Sequence, residues 1–311
     1  MRKQGRKRVS RVRVEALRDN SAENVFWILI AVTFLILSLL VAPTTTKADT
    51  DKTLGQLVRE LDGYSPERAR LTASPISLSG GSELTVIAPN NLSDLRTAVG
   101  ISLRSTHEDL ADLFGELPSI TASVRLLDET TFHRLTGAPR WTNALFYRGQ
   151  IMIPLSNSEP PDFENISRAA RHEYAHAVIH ALSNGRAPGW LDEGLAQWIE
   201  GEENPALKPA LQDWLSDNPP VPLRLLQGGF TRLRSEMVPA AYAQSLFSAT
   251  VLINTYGFPQ IKRYFDSLRK GESKERSFES AFGFTLKTFE DRLGRTLHNW
   301  NNGSSKESIN G

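Results

Sequence analysis

Apolar residues alternate with polar ones in the middle of the chain, as in strands, and recur every three to four residues in the flanking helical stretches. In order, the pattern predicts a strand at residues 83–88, one or two helices at 92–114, a strand at 120–127 and a hairpin at 144–155. The hairpin turns at Arg148-Gly149. Pro154 confines its second arm, residues 150–155, to a sheet edge or a strand end, because proline donates no hydrogen bond to a ladder. These elements predict a small α/β lobe with an edge strand over residues 80–160.

The pattern becomes helical from residue 161 onward. Asp162 can cap a helix that runs to about residue 183, where Asn184-Gly185 can end it. Further helices are predicted at residues 190–200, 206–215, 240–256, 259–268 and 286–299. We therefore expect an α+β fold in which a helical lobe, residues 161–311, follows the α/β lobe.

A continuous apolar run, residues 25–42, contains no charged residue and follows eight Lys and Arg. As a helix it would be about 27 Å long, enough to cross a bilayer. The positive-inside rule places the N-terminus in the cytoplasm and the remainder outside the cell membrane. A single-pass signal anchor is favoured, because the run exceeds the usual core of a signal peptide. Two alternatives stay open: a signal peptide cleaved near Ala48, which would release a secreted protein, and a buried core helix.

The chain is thus divided into four parts. We expect a basic cytoplasmic segment at residues 1–24, a transmembrane anchor at 25–42, a tether and linker with one short helix at 43–79, and a catalytic domain at 80–311.

Composition excludes several classes of protein. The sequence contains no Cys, which excludes disulfide scaffolds, thiolate zinc fingers, iron–sulfur clusters and a cysteine nucleophile. Residues 1–48 hold nine basic and three acidic residues, which leaves 27 basic and 32 acidic residues in 49–311, a net charge of −5. An acidic body argues against nucleic acid as a partner, because phosphate contacts need clustered positive charge.

Candidate chemistry lies in the helix predicted after residue 161. Residues 171–178 (RHEYAHAV) contain an H-E-x-x-H motif formed by His172, Glu173 and His176. Two His four residues apart project from one face of a helix and can bind one metal ion, and Glu173 lies beside them without being a ligand. The alternative is an amphipathic helix with two incidental His.

A catalytic zinc site has three protein ligands and one open position, so a third ligand is needed. The extended zinc motif of the metzincin peptidases requires Gly at position 179 and His at position 182. This chain has Ile179 and Leu182 there, which excludes the metzincin class. His180 lies one turn further along and is interpreted as a packing residue.

The next predicted helix carries a second motif. Residues 190–196 (WLDEGLA) resemble the W-L-N-E-G-F-A segment of M1 aminopeptidases, and with H-E-x-x-H they resemble the gluzincin zinc peptidases. The resemblance is closest to small membrane-anchored peptidase MA-like proteins and covers about residues 80–300. It includes residues 242–245 (YAQS), similar to a Y-x-Q-S segment of that group. The loop between the two zinc motifs is shorter than in M1 enzymes, and no G-x-M-E-N motif for a free amino terminus occurs.

The resemblance implies a zincin-like fold with one Zn²⁺ per chain, held by His172, His176 and Glu193. It implies that Glu173 is the general base for a zinc-activated water. It also implies that Tyr242 stabilises the oxyanion, with Tyr256 as the other candidate and a packing role for Tyr242 as the alternative. Residues 150–155 would be the edge strand that pairs with substrate.

Two polar residues near Glu193 are expected to orient the zinc imidazoles. Asp192 diverges from Glu193 by about 100° around the helix, so it is expected to accept an imidazole N–H instead of binding the ion. Gln197 occupies the position at which thermolysin-like enzymes have an orienting Asp.

These observations predict a membrane-anchored, extracytoplasmic zinc metallopeptidase, most consistent with an endopeptidase, that acts on a peptide or protein substrate. Two alternatives stay open: an inactive peptidase-like binding module, and a zinc hydrolase of a non-peptide cell-wall amide.

Overall fold

The computed structural model describes residues 71–138, 142–156, 160–201, 205–230 and 233–301. The predicted cytoplasmic segment, the apolar run 25–42 and the tether up to residue 70 lie outside these ranges. Within the described ranges, no helix is both long and apolar enough to cross a membrane.

Five strands form one mixed sheet in the order β1-β2-β3-β5-β4. The strands are β1 (Leu71–Ser77), β2 (Glu83–Pro89), β3 (Thr121–Asp128), β4 (Leu145–Tyr147) and β5 (Gln150–Leu155). The three inner strands β2, β3 and β5 are parallel, and the outer strands β1 and β4 are antiparallel to their neighbours. β1 lies in the segment whose Ser, Pro and Gly content predicted a linker. Its pairing with all of β2 overrides that local composition.

The edge strand next to the helical part is β4, which corrects the prediction that placed the edge at residues 150–155. β5 is an inner strand between β3 and β4. Pro154 is accommodated because β4 pairs with β5 only as far as Met152, so Pro154 lies beyond the last residue paired on that side. The connecting turn has positive φ at Arg148 (48°) and Gly149 (77°), as in a type I′ hairpin.

Eight α-helices are described. They are α1 (Ser93–Phe114), α2 (Glu129–Thr136), α3 (Phe163–Ser183), α4 (Gly189–Glu200), α5 (Leu207–Asp217), α6 (Val238–Arg269), α7 (Lys274–Phe282) and α8 (Leu286–Asn301). The two helices predicted at 240–256 and 259–268 together make up α6, and the predicted break between them is confirmed by a kink at Gly257 (φ 74°, ψ 170°). The α+β architecture expected from the sequence is confirmed.

Two helices, α3 and α4, carry both sequence motifs, and their ends are well defined. The Asp162 carboxylate accepts the backbone N–H groups of Glu164 and Asn165, which caps α3, and Asn184 ends it in the left-handed conformation (φ 54°). α4 packs tightly on α6, because a Cβ added to Gly194 would lie 2.2 Å from the carbonyl oxygen of Ser245. This approach brings the start of α6 to the zinc motifs.

Candidate metal centre

Three metal-ligating atoms from α3 and α4 converge on one point. The Nε2 atoms of His172 and His176, one helical turn apart on α3, lie 3.2 Å from each other. Glu193 on α4 places its Oε2 atom 3.7 Å from each of them. The predicted residues of the two motifs are therefore brought together by the packing of α4 across α3.

The opposite nitrogen of each imidazole is held by a carboxylate. His172 Nδ1 donates to Glu200 Oε2 at 2.7 Å, and His176 Nδ1 donates to Asp192 Oδ1 at 2.8 Å. With the proton on Nδ1, each Nε2 presents a lone pair to the common point. This tautomer is the one needed for Nε2 to bind a metal ion.

The spacing of these atoms fits zinc. Ligands at about 2.0–2.1 Å from a tetrahedral ion are separated by about 3.3 Å, and the observed separations are 3.2, 3.7 and 3.7 Å. Two imidazoles and one carboxylate are also a donor set used by catalytic zinc. The three side chains keep 13–18% of their surface exposed, so they remain in contact with solvent.

Charge within the cluster favours binding of a cation. Burial alone would raise the pKa of Glu193, but the charges of His176 and His172 lower it by more than burial raises it. The pKa is therefore below its ordinary value. Burial lowers the pKa of His176, yet the carboxylates of Asp192 and Glu193 outweigh it and raise the pKa to about 9. The metal-free site therefore holds protons that a metal ion displaces when it binds.

Glu173 lies at the junction of α3 and the edge strand. Its side chain is 9% exposed, and its carboxylate accepts the backbone N–H of Phe146 in β4. Burial raises the pKa of Glu173, and the charges of His176 and His172 oppose this. The carboxylate thus adjoins the metal ligands without being one of them.

Tyr242, on the first turns of α6, is the phenol that the motif comparison proposed. Burial raises the pKa of its hydroxyl, and the negative charges of Glu193 and Glu173 raise it further, so the phenol keeps its proton. Its ring packs edge-on against Phe230, with centroids 4.9 Å apart. The charges of Glu193 and Glu173 therefore act on the Tyr242 hydroxyl.

Gln197 does not contact an imidazole, contrary to the prediction. Its amide nitrogen donates to the backbone carbonyls of Glu193 (3.0 Å) and Tyr242 (3.1 Å) and so joins α4 to α6. The orienting role expected of Gln197 is taken by Glu200. Asp192 does lie where it was predicted, on the imidazole of His176.

Glu200 and Arg171 were missed in the sequence. Glu200 follows Glu193 by seven residues, two helical turns, so an i, i+7 search along α4 would have found it. Arg171 donates to the backbone carbonyl of Glu200 through Nε (3.1 Å) and a terminal nitrogen (2.8 Å). Arg171 therefore holds the end of α4 against α3, where Glu200 reaches His172.

Residues 133–299 match the model of the peptidase MA superfamily. No curated protein matches the chain. Similar solved structures include an M1 zinc metallopeptidase from Deinococcus radiodurans, with 18% identity and a TM-score of 0.41 over 78% of this chain and 54% of that one. Another is aminopeptidase A of Legionella pneumophila in complex with aspartic acid, with 14% identity and a TM-score of 0.45 over 75% of this chain and 28% of that one. The chain spans about half the length of the Deinococcus enzyme.

The family match covers more than half of the chain and includes every residue of the metal centre. It confirms the resemblance on which the ligand assignment was based. The chain therefore belongs to the peptidase MA superfamily of zinc metallopeptidases.

Proposed function

We propose that this protein is a membrane-anchored, extracytoplasmic zinc endopeptidase in which His172, His176 and Glu193 bind the metal ion. The observation that supports the proposal best is the convergence of their three ligand atoms, 3.2–3.7 Å apart, next to the buried carboxylate of Glu173. Zinc bound there would act as a Lewis acid that polarises the scissile carbonyl. It would also lower the pKa of the attacking water, so that the water can lose a proton near neutral pH.

Glu173 is the proposed general base. The Phe146 N–H fixes its carboxylate at the edge of β4, and burial raises its pKa, which increases its basicity. It accepts a proton from the attacking water and returns that proton to the leaving nitrogen. Because it is adjacent to the ligands and is not one of them, it remains free to exchange the proton.

Tyr242 is the proposed donor to the oxyanion. Its raised pKa keeps the hydroxyl protonated at neutral pH, so it can donate a hydrogen bond to the negative charge that develops on the substrate oxygen. Gln197 on α4 binds the backbone carbonyl of Tyr242 on α6. This hydrogen bond fixes the start of α6 relative to Glu193.

β4 is the proposed docking strand for the substrate. It pairs with β5 on one side only, and Phe146 directs its N–H away from β5, toward Glu173. An extended peptide can pair with the backbone groups that remain on the open side whatever its sequence, while the Phe146 N–H stays with Glu173. Residues 145–150 (LFYRGQ) contain no acid that could hold a free amino terminus, which favours cleavage within a chain.

The activity is tested with the purified full-length chain. We expect one zinc per chain and cleavage of internal bonds in a peptide library, with blocked amino termini tolerated, loss of activity with a chelator and recovery with zinc. Zinc binding without cleavage of any peptide would favour a binding module. Activity restricted to non-peptide amides would favour the cell-wall hydrolase.

Membrane anchoring rests on residues 25–42 and the eight basic residues before them. A reporter that is active only outside the cytoplasm, fused after Gly311, should be active and remain in the membrane fraction. Release of a soluble fusion that begins near Asp49 would support cleavage of a signal peptide. An inactive reporter would contradict the topology.

A further inference from the structure

The β4–β5 hairpin carries one charged residue, Arg148, among residues 145–150. We propose that Arg148 is a specificity-determining residue that favours substrates with an acidic side chain one to three residues from the cleaved bond. This inference rests on the proposed peptidase function and names the substrate class of the same site.

The position of Arg148 relative to the catalytic base follows from the strand. Phe146 donates its N–H to Glu173, so the reacting bond of a docked peptide lies near Phe146. Arg148 is two residues further along, a distance of about 7 Å at the rise of a strand. A peptide paired with β4 therefore places a side chain one to three residues from its cleaved bond within reach of the guanidinium.

The backbone at Arg148 is unusual for its residue type. Arg148 occupies the first central position of a type I′ turn with φ of 48°, where Asn, Asp or Gly fits with less strain. A strained residue next to a functional site supports a functional role for its side chain. The turn itself does not require arginine, since Asn at this position would form it more easily.

The side chain of Arg148 is available to a ligand. It is exposed, and its guanidinium lies over the ring of Tyr147, 5.2 Å from the centroid. In the part of the chain that the structure describes, no ion pair of Arg148 with a carboxylate is found. Tyr147 supports the planar guanidinium on one face and leaves its N–H groups free for a bidentate carboxylate.

The acidic residues of the site are already engaged. Glu193 is assigned to the metal, Asp192 and Glu200 each accept from an imidazole, and Glu173 accepts from Phe146. Among residues 145–150 the hairpin contributes one charged side chain, the exposed Arg148, and its charge is positive. An amino terminus is repelled there, whereas a Glu or Asp side chain of the substrate is attracted.

The test uses the full-length protein and matched peptides that carry Glu, Gln or Lys at each position around the cleaved bond. We expect a higher kcat/KM for Glu than for Gln at one position, by about fivefold, as for a partly exposed ion pair. The ratio of kcat/KM for the Glu peptide to kcat/KM for the Gln peptide should decrease in 1 M salt, because screening weakens such ion pairs. In Arg148→Asn the ratio should approach one, Arg148→Lys should keep part of it, and Arg148→Glu should favour Lys over Gln.

Arg263→Gln, which removes an exposed charge from the later part of α6, is the matched control and should keep the wild-type ratio. Arg148→Asn should fold at least as stably as the wild type, which separates a loss of preference from a loss of structure. A ratio of one in the wild type, or a ratio unchanged in Arg148→Asn, overturns the inference while leaving the peptidase proposal intact. Failure of the wild type to cleave any peptide overturns both.

Discussion

One helix, α4, supplies the proposed metal ligand Glu193 and both carboxylates that accept from the imidazoles. Asp192 precedes Glu193 and reaches His176, whereas Glu200 follows by two turns and reaches His172. Each carboxylate fixes one imidazole in the tautomer that leaves Nε2 free to bind zinc. The affinity of the site for zinc therefore depends on residues of α4 that do not themselves touch the ion.

Zinc affinity should separate these residues into two groups. Glu193→Ala should lose most bound zinc, because two imidazoles alone hold the ion poorly. Asp192→Ala and Glu200→Ala should still bind zinc but with about 10–100-fold lower affinity, the usual effect of removing a carboxylate that orients a ligand. Competition with a chromophoric chelator measures the difference.

Glu279→Ala, which removes an exposed carboxylate of α7, is the control and should bind zinc like the wild type. Retention of tight zinc binding by Glu193→Ala together with an empty site in Asp192→Ala would show that Asp192 is the ligand. Unchanged affinity in Glu200→Ala would contradict the role given to Glu200.

A buried histidine outside the metal centre, His107, lies in α1. It is 1% exposed, accepts at Nδ1 from the Tyr174 hydroxyl of α3 (2.7 Å) and donates from Nε2 to the Ser79 carbonyl (3.2 Å). Burial lowers its pKa below the ordinary 6.5, although the Ser79 carbonyl opposes this. His107 is therefore neutral in the folded protein at neutral pH.

The stability of the folded protein should decrease as pH falls below about 6.5, because the unfolded chain then binds a proton that folded His107 does not. His107→Gln keeps a donor and an acceptor but does not titrate, so its melting temperature should fall less between pH 7 and pH 5. Both proteins are measured with a chelator, so that the metal-site histidines contribute equally. A parallel pH dependence in the two proteins would contradict this assignment.

At the scale of elements, the site depends on how closely α4 and α6 approach. A Cβ on Gly194 would lie 2.2 Å from the Ser245 carbonyl oxygen and 2.8 Å from the Cβ of Ala249. Gly194 directly follows Glu193, and Tyr242 lies one turn before Ser245. The absence of a side chain at Gly194 therefore sets the distance between the metal ligand and the proposed oxyanion donor.

Gly194→Ala should destabilise the protein by about 1–3 kcal/mol, since the helices must separate to accommodate the methyl group. Gly294→Ala in α8 is the matched control: its Cβ would have no neighbour within 4 Å. That variant should be more stable than the wild type by about 0.5–1 kcal/mol, because alanine favours a helix. Denaturant unfolding distinguishes the two, and equal stability of Gly194→Ala and the wild type would refute the close approach.

The elements themselves were largely predictable, because local signals determine their bounds. The caps Asp162 and Asn184 defined α3 to within a residue of its observed end, and Arg148-Gly149 located the hairpin turn. Three elements escaped prediction. β1 has a composition typical of loops and is a strand because it pairs with β2. α2 and α7 are short helices of eight and nine residues, too short for a clear helical repeat of apolar residues.

At the scale of the whole molecule, the arrangement of the elements was less predictable than the elements. The i, i+4 spacing in α3 identified two of the proposed ligands. The third, Glu193, was identified from a motif resemblance, because spacing alone does not show which helix packs across α3. The sequence gives no strand order, so the edge was assigned to residues 150–155 although β4 occupies it. Gln197 was misassigned because the direction of its side chain depends on the packing of α6, which only the folded chain defines.

Three elements that lie close together in the sequence, within residues 145–200, meet at the proposed reaction centre. β4 fixes the carboxylate of Glu173, α3 carries that residue with two ligands, and α4 adds Glu193. The central claim is that Glu173 moves the proton and does not bind the metal.

The most direct test is the measurement of zinc content and peptide cleavage in Glu173→Gln. Glutamine has the same shape and can still accept the Phe146 N–H, but it cannot take up a proton at neutral pH. We predict one zinc per chain, as in the wild type, and a fall in kcat of at least about 100-fold, the scale of a lost general base. Cleavage at the wild-type rate by zinc-loaded Glu173→Gln, or loss of zinc from this variant, would contradict the account.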